Sequence, residues 1–142
     1  MRTDSHSDEQ LKNIYKSYNR IAVVGMSKNE EKAAGYVPRY LMAQGYAVTP
    51  VNPTADQIMG HKSFQKVSQI QDRVDIVDIF RPSDDVLEVV KDAVTKPGIK
   101  LIWMQEGIYN EEAEKLAKSH SIDVIYNRCM MAEHKRLFAD HA

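Results

Sequence analysis

The stretch Ile21-Ala22-Val23-Val24 is apolar at every position and stops abruptly at Gly25-Met26-Ser27-Lys28-Asn29. A strand with one wet face alternates polar and apolar residues, whereas a strand apolar throughout is buried on both faces, the signature of a parallel sheet covered by helices. Further apolar runs end the same way: 48–51 in Asn52-Pro53, 74–80 in Arg81-Pro82-Ser83, 100–104 in Gln105-Glu106-Gly107 and 124–126 in Asn127-Arg128-Cys129. Helical patterns separate these runs. Right-handed crossovers then predict an α/β fold, a doubly wound and mainly parallel five-stranded sheet of order 3-2-1-4-5 with helices on both faces. In such sheets ligands bind outside the carboxyl ends of the strands, so the polar loops outline one crevice.

The intervening elements read as follows. Ser7 with Gln10 forms a capping-box pattern and Leu11, Ile14, Tyr15 and Tyr18 follow helical spacing, so residues 7–18 are expected as a helix packed on the core 20–138. A second helix is entered near Pro38 and stopped by Gly45. Residues 54–70 form an irregular crossing. Ser83 is expected to cap a helix with Asp84 and Asp85 in its first turn and Val86, Val89, Val90, Ala93 and Val94 on its buried side. Asn110 caps another, and a short closing helix spans 131–138, carrying Glu133, Arg136 and Leu137.

With 142 residues, 43% hydrophobic and 27% charged, the chain has the size and balance of one domain, 1–142. A formal net charge of −1 argues against general nucleic-acid or membrane-surface binding, so local basic residues must carry any anion binding. No apolar run reaches the ~20 residues of a membrane span, and the opening Met1-Arg2-Thr3-Asp4-Ser5-His6 has no signal-peptide core, which leads to the expectation of a cytoplasmic protein. The single Cys129 excludes an internal disulfide or a thiol-rich metal site. His6, His61, His120, His134 and His141 lack ligand spacing, and no structural metal is expected.

The first loop carries the strongest chemical signal. Gly25 permits a tight turn at the strand end, and Ser27 with the following N–H groups can ligate phosphate, helped by Lys28 and a helix N-terminus near Gly35. A full dinucleotide fingerprint needs glycines where Ser27 and Glu30 stand. Nicotinamide-dinucleotide binders also place an acid near the end of the second strand to accept the ribose hydroxyls. Here Asn52-Pro53 occupies that place. A carboxylate ~4 Å from a ribose phosphate would cost on the order of 1–4 kcal/mol, whereas an amide is neutral, so the loop admits a 3′-phosphorylated adenine nucleotide. Lys62 or Arg39 can supply a compensating charge, or lie in solvent.

Five segments together resemble a known family: Val23-Val24-Gly25-Met26-Ser27, Val51-Asn52-Pro53, Asp78-Ile79-Phe80-Arg81-Pro82, Trp103-Met104-Gln105-Glu106-Gly107-Ile108 and Asn127-Arg128-Cys129-Met130. Over residues 14–138 the chain is similar to the small standalone CoA-binding proteins related to the CoA-binding domain of the succinyl-CoA synthetase alpha subunit. The resemblance implies a Rossmann-like fold and coenzyme A or acyl-CoA as ligand. Its nucleotide phosphates would lie near Gly25, Met26, Ser27 and Lys28, with Asn52 and Pro53 bordering the nucleotide and Phe80, Arg81 and Pro82 lining the crevice. The synthetase reaction needs a further domain with a phosphorylated histidine and a partner subunit, and is not expected of this chain. The synthetase's lysine-containing, glycine-rich segment after the second strand is not reproduced.

The remaining candidates have two readings each. Arg81 either pairs with a phosphate or bridges to Asp84 or Asp85. Trp103 and Met104 fit the core better than the binding surface, while Gln105 and Gly107 fit the crevice. Cys129 stands at a strand end where a cofactor thiol comes near, yet a free cysteine is commonly a small buried hydrophobe. Asp75 and Asp78 are not placed as an acid/base pair, and Asp78 is expected to meet backbone or solvent. No nucleophile with an adjacent base appears in the loops, so the expectation is a CoA-binding carrier, sensor or regulatory module, monomeric or homodimeric, rather than an enzyme. The rivals are an NAD(P)-dependent oxidoreductase or redox sensor, and a protein-interaction module with a vestigial crevice.

Overall fold

A computed structural model describes residues 1–139, so the reading of His141 and the limit at residue 142 lie outside the described residues. The elements run α1 (Asp8–Ser17), β1 (Arg20–Val24), α2 (Ala33–Ala43), β2 (Ala47–Val51), β3 (Gln57–Ile58), β4 (His61–Lys62), β5 (Ile76–Ile79), α3 (Val86–Ala93), β6 (Leu101–Met104), α4 (Glu111–Ser119), β7 (Asp123–Ile125) and α5 (Met130–Phe138). Five strands form one parallel sheet in the order β2-β1-β5-β6-β7, and β3 with β4 makes a separate antiparallel ribbon.

Counting only the five main strands, the order is 2-1-3-4-5 and not the expected 3-2-1-4-5. The third main strand pairs with β1, from Ile21 opposite Ile76 to Val24 opposite Ile79, and leaves β2 at the edge. Pro50 lies within β2 and has no N–H to donate, which suits an edge strand and would break a ladder in the interior. The crossing that follows adds only one bridge to that edge, Val51 to Phe64.

Alternation along the strands divides the core between two faces. Ala22, Val24, Val77, Ile79, Ile102 and Met104 meet α3 and α4, while Ile21, Val23, Ile76, Leu101, Trp103 and Ile125 meet α1, α2 and α5. α1 starts with a capping box in which Ser7 Oγ accepts from the Gln10 amide and Gln10 Oε1 from the Ser7 amide. It buries Leu11, Ile14 and Tyr15, and the Tyr15 hydroxyl donates to the Met130 carbonyl at 2.8 Å, tying α1 to the start of α5. No helix among the described residues is long and apolar enough to cross a membrane.

Two helix starts differ from expectation. α2 begins at Ala33, so Pro38 falls inside it and not at its entry. An interior proline costs a helix about 3 kcal/mol through its missing N–H and its clash with the preceding turn. Here burial of Val37, Pro38 and Leu41 on the sheet offsets that cost. The carbonyl that Pro38 leaves unpaired is Ala34, and it accepts the Ser27 N–H at 3.0 Å. Ser83 does not cap its helix either. It opens a 3-10 turn before α3, and its Oγ accepts from the Tyr109 amide while its carbonyl accepts from Asn110 Nδ2, joining the loops after β5 and β6.

Candidate functional site

The chain leaves β1 toward β2 on one side and then crosses back to β5 on the other, so the loops after β1 and β5 diverge and open a crevice between them. A cleft of about 500 Å³ lies there. The β1 loop supplies Gly25, Met26, Ser27 and Lys28, the start of α2 supplies Lys32 and Ala34, and Asn52, Thr54, Ala55 and Phe80 close it from the neighbouring strand ends.

Gly25 is fixed by sterics. Its φ is +85°, and a Cβ there would sit 2.5 Å from the Phe80 carbonyl oxygen. This close approach draws the first loop against the start of the β5 loop. The Ser27 amide is spent on Ala34, and Ser27 Oγ accepts from the Asn29 amide at 3.0 Å. The N–H groups of Met26 and Lys28 have no acceptor among the described residues; Met26 is fully buried, whereas Lys28 is exposed. The Lys28 amide, the Lys28 and Lys32 side chains and the N-terminal end of α2 form a positively polarised cradle on one side of the cleft.

Asn52 braces the cleft. Its Nδ2 donates to the Met26 carbonyl at 2.9 Å and its Oδ1 accepts from both the amide and the hydroxyl of Thr54, so the side chain joins the β1 and β2 loops. Pro53 lines a neighbouring hollow with Lys62, Phe64 and Gln65, where the Lys62 ammonium lies 5.1 Å from the Phe64 ring centre. Arg39 folds onto the carbonyls of Gly35, Ser27 and Lys28 and pairs with Glu30, so its charge reinforces the loop from behind. A second groove, about 430 Å³, opens on the other sheet face over Val24, Val51, Val67 and Val89, rimmed by Lys66 and Lys91.

At the third strand, Phe80 reaches the cleft, while Arg81 bridges to Asp85 at 2.9 Å with both side chains half in solvent. Gln105, Gly107 and Cys129 are not among the residues that line the cleft. Gln105 is buried, donating through Nε2 to Asp78 Oδ1 and accepting from the Met130 amide. The expectation for Asp78 is therefore corrected. It meets neither backbone nor solvent, because its strand is interior on both sides and its neighbours in register are Val23 and Trp103. Gly107, at φ +80°, gives its N–H to Asn127 Oδ1, and Asn127 Nδ2 donates to the carbonyls of Met1 and Arg2, so the chain's own N-terminus lies over that end of the sheet.

Cys129 is the N-cap of α5 and half-buried, with the Ala132 amide 3.5 Å from Sγ. Burial pushes its thiol up, and the neighbouring cation is neutralised, since Arg128 pairs with Asp4 at 3.0 Å. Burial also lowers His134, whose Nδ1 bonds the Tyr40 hydroxyl. The thiol should therefore react with iodoacetamide at pH 7.5 more slowly than free cysteine, and alkylation as fast as free cysteine would contradict the buried placement.

Sequence reasoning missed Lys32, Ala34, Thr54 and Ala55. Lys32 was hidden because the helix start was set several residues too late, whereas Thr54 carried a usable signal as the second residue after an asparagine in a turn.

Comparison with known proteins agrees with this architecture. The chain is 32% identical over 128 residues to the uncharacterized protein YneT of Bacillus subtilis, covering 90% of this chain and 94% of that protein. It is 30% identical over 132 residues to an ADP-forming acetate–CoA ligase of Methanocaldococcus jannaschii, covering 87% of this chain but 18% of the ligase. The solved structure of a hypothetical protein from Pyrococcus horikoshii superposes with a TM-score of 0.90 at 37% identity, covering 97% of this chain and 99% of that one. The sequence pattern of the CoA binding domain matches residues 19–135, which hold the sheet, the cradle after β1 and the strand-end loops around it. This chain belongs to the CoA binding domain family.

Proposed function

We propose that the chain binds coenzyme A or an acyl-CoA, with the diphosphate in the cleft past β1. The observation that carries this reading is the cradle itself: the unpaired amide of the exposed Lys28 beside two lysines and the N-terminal end of α2, in a loop braced by Gly25 and Asn52. The absence of an acid at the end of β2 fits a ribose that carries a phosphate, and the ligase relative is named for its use of CoA. The role in this reading is binding, as a carrier, sensor or regulatory module.

Calorimetric titration with CoA, NADH and NADPH tests the reading. CoA is expected to saturate a single site and NADH to give no binding heat; saturation by NADH with none by CoA would reverse the assignment to an NAD-type site. At a hundredfold excess over its dissociation constant CoA should add ~2.7 kcal/mol to unfolding stability. If no nucleotide raises the melting temperature, the crevice is vestigial and the chain is an interaction module. A Ser27→Glu variant places a carboxylate against the diphosphate and is expected to weaken CoA binding by at least about fivefold, since like charges near 4 Å cost on the order of 1–4 kcal/mol. Its melting temperature should stay close to that of the unaltered protein because Ser27 Oγ holds only one local amide.

A further inference from the structure

We propose that Asp78 takes up a proton when an anionic phosphate ligand fills the cleft, so that occupancy is coupled to pH through a buried carboxyl that touches no ligand atom. This rests on the cleft reading above and adds its regulation. Asp78 is fully buried, Gln105 engages Oδ1, and Oδ2 has no hydrogen-bond partner among the described residues. Along β5, Ile76 packs on the α1, α2 and α5 face and Val77 and Ile79 on the other, so alternation turns Asp78 toward the first face. Phe80, two residues on and packed on that same face, lines the cleft, as does the fully buried Met26. Two strand residues span about 7 Å, so Asp78 stands one such step back along β5 from the cleft-lining Phe80, on the same face of the sheet.

The elements packed on this face offer little to offset its charge. α1 brings Tyr15, whose hydroxyl is used on Met130, and α2 brings Tyr40, bonded to His134, and Arg39, turned to the loop carbonyls. α5 brings His134 and Glu133, with Glu133 engaged by Arg136 and Arg128, and the turn before it brings Cys129. Gln105 and Glu106 follow β6, Lys135 of α5 lies over the Tyr40 ring, and Lys28 and Lys32 stand at the cleft. Burial pushes the Asp78 carboxyl up to about 7 against the opposing hydrogen bond from Gln105, so the group titrates where a modest field decides its state. A diphosphate above the floor disfavours the carboxylate, and a proton from solvent adds to it. By reciprocity the protonated form binds the anion more tightly by the same factor.

The test measures CoA and inorganic pyrophosphate affinity from pH 6.5 to 8.5 for the unaltered protein and for Asp78→Asn, which keeps shape and loses the titration. Affinity of the unaltered protein is expected to fall at least about fivefold more across that range than that of the variant. Calorimetry of both proteins in two buffers of different ionisation enthalpy should show more proton uptake near pH 7 for the unaltered protein than for the variant, the difference removing ionisation of the ligand's own phosphates. Identical pH profiles for the two proteins, or equal proton uptake, would overturn the coupling and leave CoA binding standing. Failure of both ligands to bind at any pH would overturn the cleft reading and the coupling together. Melting of the ligand-free proteins tests the Asp78 titration by itself, because a carboxyl raised by folding destabilises as pH climbs from about 4 through 7; the variant should lack that decline, and identical profiles would overturn the coupling.

Discussion

A Gly35→Ala variant is expected to lose about 2–3 kcal/mol of stability, the upper part of the range for overpacked sites, and with it the CoA binding proposed above. Intrinsic propensity points the other way, since alanine is better than glycine in a helix by about 1 kcal/mol. Sterics decide the sign. A Cβ at Gly35 would lie 2.0 Å from the Asn29 carbonyl oxygen and 2.8 Å from its carbon, both backbone atoms. Asn29 cannot yield easily, because its Oδ1 accepts from the Glu31 amide and its carbonyl accepts from the Lys32 amide. Displacing it moves Ser27, Lys28 and Lys32 together. Urea unfolding and CoA titration check both halves, and a variant as stable as the parent with unchanged affinity would show that the loop and helix do not meet as described.

Asp4→Ala is expected to cost about 3–5 kcal/mol, because it strips a nearly buried guanidinium of its carboxylate. Asp4 accepts from Arg128 Nε at 3.0 Å, from the Tyr126 amide at 3.0 Å and from His6, and only 5% of its side chain is exposed. Glu133, 3.8 Å from Arg128, is the weaker partner left behind. The same clasp sets a pH dependence. Burial pushes Asp4 up, but hydrogen bonds from His6, Arg128 and the Tyr126 amide outweigh it and hold the carboxyl well below its usual range. Its contribution is present above about pH 4 and is lost as pH falls through that depressed value. His6 bonds Asp123 and Asp4 through its two ring nitrogens, each at 2.7 Å, and is raised to about 9 by those carboxylates. Its contribution is complete below about pH 6.5 and disappears as pH rises through 9. Denaturation curves at pH 6, 8 and 10 should show this alkaline decline in the parent and a shallower one in the variant. A variant of parental stability at pH 6 would remove the clasp from the account.

The sheet was legible because Ile21 through Val24 is apolar throughout and its counterparts are mostly so, a local property. The strand order was not, since the partner of β1 depends on which edge the later strand reaches; yet Pro50 carried the answer, lacking the N–H an interior strand must give. The cleft was legible in Gly25, Ser27 and Lys28 because they follow a strand directly. Asn52 was recognised as bordering the site, but its use as a brace depends on the Met26 carbonyl, which is far from it in sequence. Gln105 looked like a crevice residue because glutamine is polar; the register that sets Asp78 beside Trp103 turned it inward. The N-terminal clasp left no trace in any local pattern, since its partners lie at the other end of the chain.

Pro38 has a consequence for how a ligand would meet the cleft. A helix with an ordinary residue there would reclaim the Ala34 carbonyl, and the Ser27 amide would have to find water; instead the helix's missing bond moors the loop before any ligand arrives. The ordering entropy of the cradle is thereby spent during folding, and the gain from each new contact passes to affinity with little conformational tax.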